Sequence, residues 1–365
     1  MIETRRGKLE HILFEREGVQ AFAVKIGGQE QKCLAYTDLC GILKPGDEVL
    51  LNTTAISLGL GTGGYHYVIS RVEPEELDLQ GPGHIMKLRY TPMQVQVLAV
   101  EEQDSVHHER LKQIDSLGNC PVLVTTLHSM LAPLCLMLAR YDLRVAYVMT
   151  DGAALPIVFS RTVDWLQKHA YLSGTVTTGH SFGGDLEAVN VYSGMLAARE
   201  VLEADVIIVG MGPGIVGTGT RWGYTGIEQG DILNAVDTLQ GQAIAVPRIS
   251  FGDARERHQG ISHHTLTVLD RVCRVPAIVP LPFLPEDRLQ PIMKQIEDKD
   301  LFSRYRFCME DGVAIIPLLQ ECELKITTMG RGIDEDPEFF LALGASAAAA
   351  ALLAQGESPH YLMRV

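Results

Sequence analysis

The sequence has no C-x-x-C pair. Its seven cysteines, Cys33, Cys40, Cys120, Cys135, Cys273, Cys308 and Cys322, are odd in number and widely scattered, so neither a zinc ribbon nor a thioredoxin-like redox pair is expected. A secretory h-region is missing as well: MIETRRGKLEHILFERE, at the N-terminus, carries no long apolar run. The most apolar long stretch, LALGASAAAAALLA at 341–354, is shorter than the ~20 residues a membrane span needs. Being mostly alanine, it predicts a packed helix. Positive charge is in deficit. The formal net charge is −14, and excess carboxylate opposes the Lys/Arg neutralisation on which binding to nucleic acid or anionic lipid depends. Neither is therefore an expected partner, and a reduced cytoplasmic setting is expected. With no H-E-x-x-H and no H-x-H, local spacing supplies no metal site. No internal repeat is evident.

What is present is ordinary globular material. Apolar residues make up 46% and charged residues 21% of 365 positions, enough for about two domains of ~100–200 residues. GKLEHILFE, VQAFAVKI, QKCLAYT, DEVLLNTT and YHYVISRV are short branched or aromatic runs between turns such as IGGQE and LKPGDE. They predict a small, barrel-like β domain over residues 1–100. The glycine knot LGLGTGGYHYVI (58–69) reads as a tight bend or bulge. Residues 101–119, with the charged stretch DSVHHERLKQIDSLGN, read as a connector or an exposed helix.

From 120 to 365 apolar runs alternate with helix-like segments. Strands are expected at PVLVTTL, LRVAYVMT, LSGTVTTG, DVIIVGM, QAIAVPRIS and PAIVPLPF, with weaker ones at RYRFCM and ELKITTM. Near-continuous apolar strands separated by helices predict an α/β domain with a mainly parallel, doubly wound sheet. A (β/α)8 barrel is the alternative.

In either architecture ligands bind beyond the carboxyl ends of the strands, and unusual polar residues follow those ends here. His128, Asp151, His180, Asp185, Asp253, His258, His263 and Arg331 all fall in such loops. The densest loop is VIIVGMGPGIVGTGTRWGYTG at 206–226, with seven glycines. Gly212-Pro213-Gly214-Ile215-Val216-Gly217 spells the dinucleotide pattern G-x-G-x-x-G after a good strand. TGTRWGYTG is a poor helix former, however, and the acid about twenty residues on, Asp237, falls inside an expected helix. A small-anion loop fits better. It would use Gly212, Gly214, the amides of Gly217, Thr218, Gly219 and Thr220, the two threonine hydroxyls and the Arg221 fork. A bent structural loop is the plain alternative.

Ser262 reads as the N-cap of a helix opening at His263 and His264, whose positive end keeps these rings neutral and able to act as bases. His180 or His263 is the candidate proton carrier, with Asp185 orienting a ring. Asp185 also reads as an N-cap for DLEAVN, and Asp151 as a cap for a helix near Pro156. Neither Ser160 nor Ser181 is read as the nucleophile of a G-x-S-x-G elbow, so a serine hydrolase is not expected.

VAYVMTDGAALP (145–156), TTGHSFGGDLEAVN (177–190), GMGPGIVGTGTRWGYTG (210–226), RERHQGISHHT (255–265), TTMGRG (327–332) and LGLGTGGYHYV (58–68) together resemble an uncharacterised bacterial family defined only as a domain of unknown function. The resemblance covers nearly the whole chain and implies no reaction, cofactor or catalytic residue. Local chemistry alone sets the expectation: an enzyme acting on a small anionic or phosphorylated metabolite at the strand ends. A non-catalytic metabolite-binding sensor or interaction protein is the alternative. Cofactor and self-association stay open.

Overall fold

The computed structural model describes residues 1–61, 63–73 and 81–362. Thr62 of the glycine knot lies outside them. The chain divides into two units, Met1–Leu98 and Ala99–Val365.

In the first unit β1 (Thr4–Arg16), β2 (Val19–Ile26), β3 (Gln29–Tyr36), β4 (Glu48–Asn52) and β5 (His66–Arg71) close a barrel in the order β1-β2-β3-β5-β4. Closure depends on β1, which pairs with β4 through Thr4–Lys8 and with β2 from Lys8 onward. Register shifts near His11 and Phe14 bend it between the two partners. Alternate residues point inward, and Leu9, Phe22, Val24, Val49, Leu51 and Val68 fill the interior. At Gly7 a Cβ would sit 2.6 Å from Val24 Cγ2 and 2.8 Å from Leu51 Cδ1, so only glycine fits where β1 turns over the core. A short hairpin, β6 (Ile85–Lys87) and β7 (Val95–Val97), follows.

The second unit holds β8 (Pro121–Val124), β9 (Val145–Thr150), β10 (Gly174–Thr177), β11 (Leu186–Glu187), β12 (Val206–Met211), β13 (Gln242–Ala245), β14 (Ile249–Ser250), β15 (Gly260–Ile261), β16 (Ile278–Pro282) and β17 (Arg306–Glu310). Eight of them form one sheet ordered β11-β10-β9-β12-β8-β13-β16-β17, and its pairings are parallel. The sheet is open, with β11 and β17 at its edges, so it is doubly wound and the barrel alternative falls. Successive residues of its strands enter opposite cores. Val122, Val124, Ile207 and Val209 belong to one, and Leu123, Val206 and Ile208 to the other. Covering both faces explains the near-continuous apolar runs. Residues 101–119 pack in this unit, with Leu111 and Leu117 in its core.

Two expected elements differ. ELKITTM forms no strand: apart from a two-residue turn bridging Thr328 and Arg331, it is irregular. QAIAVPRIS breaks after Ala245, and Ile249–Ser250 pairs with β15 outside the main sheet. Pro247 stands at the break and has no N–H to offer a ladder.

The helix Pro337–Ala354 is long and apolar enough to cross a membrane, yet most of it is buried in the core that contains Leu123 and Ile208. It packs against the loop at Gly312 through glycine on both sides. A Cβ at Gly344 would stand 2.5 Å from Gly312 O, and one at Gly312 would be 2.1 Å from Leu341 O. Gly344→Ala should therefore cost about 1–3 kcal/mol through overpacking, read as a lower urea midpoint. An unchanged midpoint would contradict this packing.

Candidate functional site

After β9 the chain runs to β10 on one side, and after the adjacent β12 it runs to β13 on the other. Loops that part in this way open a crevice at the carboxyl ends of the strands. Two groups of polar side chains lie on or against the segments that follow β9, β12 and β13.

The first surrounds Glu228, which opens the helix Glu228–Thr238. Thr150 Oγ1 donates to Glu228 Oε1 at 2.7 Å. A Cβ on Gly152 would lie 2.7 Å from Glu228 Oε2, so the carboxyl rests on bare backbone. Burial pushes it up to about 7; the charges of Asp151 and Asp231 act in the same direction, against the Thr150 hydrogen bond. Asp151 Oδ2 accepts the His180 backbone N–H at 2.9 Å. Gly179, at φ +64°, admits that carboxylate where any Cβ would collide with it. Asp151 thus ties the β9 loop to the β10 loop and caps no helix: Ser160 is the cap of Arg161–Lys168. Sequence reading missed Glu228 because an acid in the first turn of a helix is ordinary; only the fold brings Thr150 and Gly152 against it.

The second group lies around β14 and β15. Arg248, only 3% exposed, Arg255 and Arg331 all reach Asp253 Oδ2, at 3.3, 2.7 and 3.4 Å. Arg255 holds Asp253 well below the usual carboxylate range. Arg331 also reaches Asp336 at 3.1 Å, and Asp336 accepts from Ser250 Oγ and the amides of Phe251 and Gly252. Beside these lie three imidazoles. The centroid of His263 is 4.8 Å from that of His258 and 4.2 Å from that of His264. Ser262 caps the helix His263–Thr267 by accepting from His264 N–H and also meets His258 Nδ1 at 2.7 Å. Tyr224 stacks on His264 at 4.0 Å, and its hydroxyl donates to His264 O. Burial first, then neighbouring charges including Arg248, pulls His258 and His264 down to about 3. His263 is lowered for the same reasons. All three rings are neutral at pH 7.

The remaining expected residues divide. His128 meets Ser160 Oγ at 2.7 Å and the Tyr147 hydroxyl at 3.4 Å, and burial pulls it down to about 4; it is locked into a network beneath the rim. Asp185 neither caps a helix nor orients a histidine. It accepts from Thr175 N–H and Oγ1 and from Gln167, while the helix Val191–Glu200 is capped by Asn190 in a capping box with Ser193. The intervening Leu186–Glu187 pairs with β10, so the helix starts later than DLEAVN suggested. Among the described residues no group of three or more His, Cys, Asp or Glu is placed to hold a metal ion.

Gly179-His180-Ser181-Phe182-Gly183 spells G-x-S-x-G. The chain nevertheless continues into β11 rather than a helix. Ser181 is buried, with its Oγ donating toward Met149 O at 2.9 Å and Thr178 O at 2.8 Å. A nucleophile elbow needs an exposed hydroxyl on a strand-to-helix turn; this serine is structural.

The glycine loop begins against the β9 loop, where Ala154 N–H donates to Pro213 O and a Cβ at Gly212 would meet Ala154 O at 2.8 Å. Gly214 and Gly219 have φ of +110° and +77°. Between Val216 and Thr225 the loop is a hairpin that consumes much of its own bonding. Thr218 N–H donates to Gly223 O, Gly223 N–H to Thr220 Oγ1, and the two threonine hydroxyls are 2.9 Å apart. Gly217 bridges to Tyr224. Arg221 is exposed, with no partner among the described residues. Gly219→Val should therefore cost about 1–2 kcal/mol through its left-handed backbone. Arg221→Ala should change stability in chloride by less than about 0.5 kcal/mol. Urea midpoints compare them, and equal losses would contradict the assignment.

With this geometry in view, the chain belongs to the DUF3866 family of proteins of unknown function, whose model matches residues 32–348. No curated protein matches it.

Proposed function

We propose that the protein is an enzyme acting on a small anionic or phosphorylated metabolite in the crevice beyond β9, β12 and β13. The observation that carries this reading is Glu228. A carboxyl held near pH 7 at the mouth of a topological crevice is matched to giving and taking a proton. Tyr224 and Glu228 bracket the short helical turn Thr225–Ile227 that leads into the helix Glu228–Thr238, so the histidine–arginine group and the carboxyl flank one element. Arg255 and Arg331 attract the anion, His263 is a second neutral proton carrier, and Arg221 on the glycine loop adds an unpaired cation. We place the reaction in the cytoplasm, in keeping with seven free thiols.

A thermal-shift screen of phosphorylated and carboxylated metabolites, followed by turnover assays on the hits, tests this. Glu228→Gln should bind the same compounds and lose turnover by tenfold or more, about 1.4 kcal/mol. Stabilising ligands without turnover would overturn the enzyme and leave a metabolite-binding sensor.

A further inference from the structure

Native proteins pair nearly all their buried polar atoms. In the second group three such atoms stay unpaired: Arg248 Nε, His263 Nε2 and His264 Nδ1. Their chemistry restricts what can join them. A guanidinium donates and never accepts, so Arg248 needs an acceptor. A neutral imidazole offers one N–H at either nitrogen, and a ligand can select the tautomer. A metal cation is disfavoured, because Arg248 and Arg257 put positive charge beside both rings. Three donors from three side chains call for three acceptor positions, and a phosphoryl group has an oxygen for each of them where a carboxylate has two.

We infer that this cluster binds a phosphoryl-type oxyanion, with Arg248 Nε, His263 Nε2 and His264 Nδ1 each donating to it. The inference rests on the reading of the crevice above and names its ligand class. Two contacts hold the donors ready. Ser262 engages His258 Nδ1, which keeps that ring as a wall. Tyr224 stacks on His264 with planes only 5° apart and fixes its orientation.

The test is calorimetric titration of the full chain with inorganic phosphate, glycerol phosphate, sulfate and acetate at constant ionic strength. Phosphate and sulfate should bind about tenfold or more tightly than acetate. His263→Phe and His264→Phe should each weaken phosphate about tenfold. His263→Gln and His264→Asn, which keep an N–H near the lost one, should stay within about threefold of wild type. Melting in chloride shows whether each variant is folded, and nitrogen-15 spectra of the wild-type histidines should report Nε2–H at His263 and Nδ1–H at His264 once phosphate is added. Tighter binding of glycerol phosphate than of phosphate identifies a phosphorylated metabolite as the source; the reverse identifies free phosphate. Acetate binding as well as phosphate, or folded phenylalanine variants binding like wild type, overturns the inference. If anions bind and respond to Arg255→Ala or Arg331→Ala alone, the crevice reading survives and this one does not. Phosphate bound through the histidines with no turnover of any ligand has the opposite meaning.

Discussion

Asp253→Ala should lower the stability of the α/β unit by about 3–5 kcal/mol, the cost typical of breaking a buried ion pair from one side. Asp253 is the shared carboxylate of Arg248, Arg255 and Arg331. Arg255 is largely in water and loses little. Arg248 is buried and would keep its charge with no carboxylate at its fork, while Arg331 would retain Asp336. Most of the loss is thus the penalty for one stranded guanidinium. Asp253→Asn should lose less, since it keeps an acceptor for the Arg255 N–H groups. Both tryptophans, Trp165 and Trp222, lie in this unit, so urea unfolding followed by their fluorescence reads it directly. An alanine variant within 1 kcal/mol of wild type, as an order-of-magnitude limit, would mean Arg248 finds another partner.

Acidification from pH 7 to 5 should cost about 3–4 kcal/mol, with two opposing contributions. His258, His264 and His128 are pulled to about 3, 3 and 4 from an ordinary value of 6.5. The unfolded chain therefore binds protons below about 6.5 that the folded chain refuses. Each ring loses about 2 kcal/mol of stability by pH 5, or about 6 kcal/mol together. Glu228 works the other way. Its folded value is raised to about 7 from 4.5, so its contribution is full below the unfolded value and is lost as pH rises through about 7. Acidification returns about 2–3 kcal/mol from this carboxyl, and the histidines win. Asp253, whose folded value is depressed, adds a further loss only near and below the ordinary carboxylate range. Urea midpoints at pH 7 and 5 check the balance. Glu228→Gln should make the acid loss steeper and His264→Phe shallower; the opposite order would contradict both assignments.

The large domain's architecture was legible because burial on both faces demands apolar strands, and those runs stand out against the helices. RYRFCM was legible as a weaker strand, and Ser262 as a cap followed from its place before the histidines. ELKITTM has strand-like residues but no free edge to join: the outer side of β17 is taken by residues 360–362, through Met309 N–H to His360 O and Leu362 N–H to Phe307 O. Asp185 looked like a cap because caps and strand-crossing side chains use the same residue type, and only Thr175 across the ladder distinguishes them. The histidine group was visible as a cluster of residue types in RERHQGISHHT. Its dependence on Tyr224, forty residues upstream, and the role of Glu228 came only with the fold.

The position of β8 has a consequence for synthesis. It is the first strand of the sheet to be made, yet it is hydrogen-bonded between β12 and β13. At about 5–20 residues per second, roughly 85 residues must follow β8 before β12 exists, a wait of about 4–17 s. During that time a wholly apolar strand has both edges open, and β13 comes later still. The ribosome thus presents one of the sheet's two central strands as its longest-exposed one, which makes residues 121–124 a natural target for a chaperone that shields extended apolar chain.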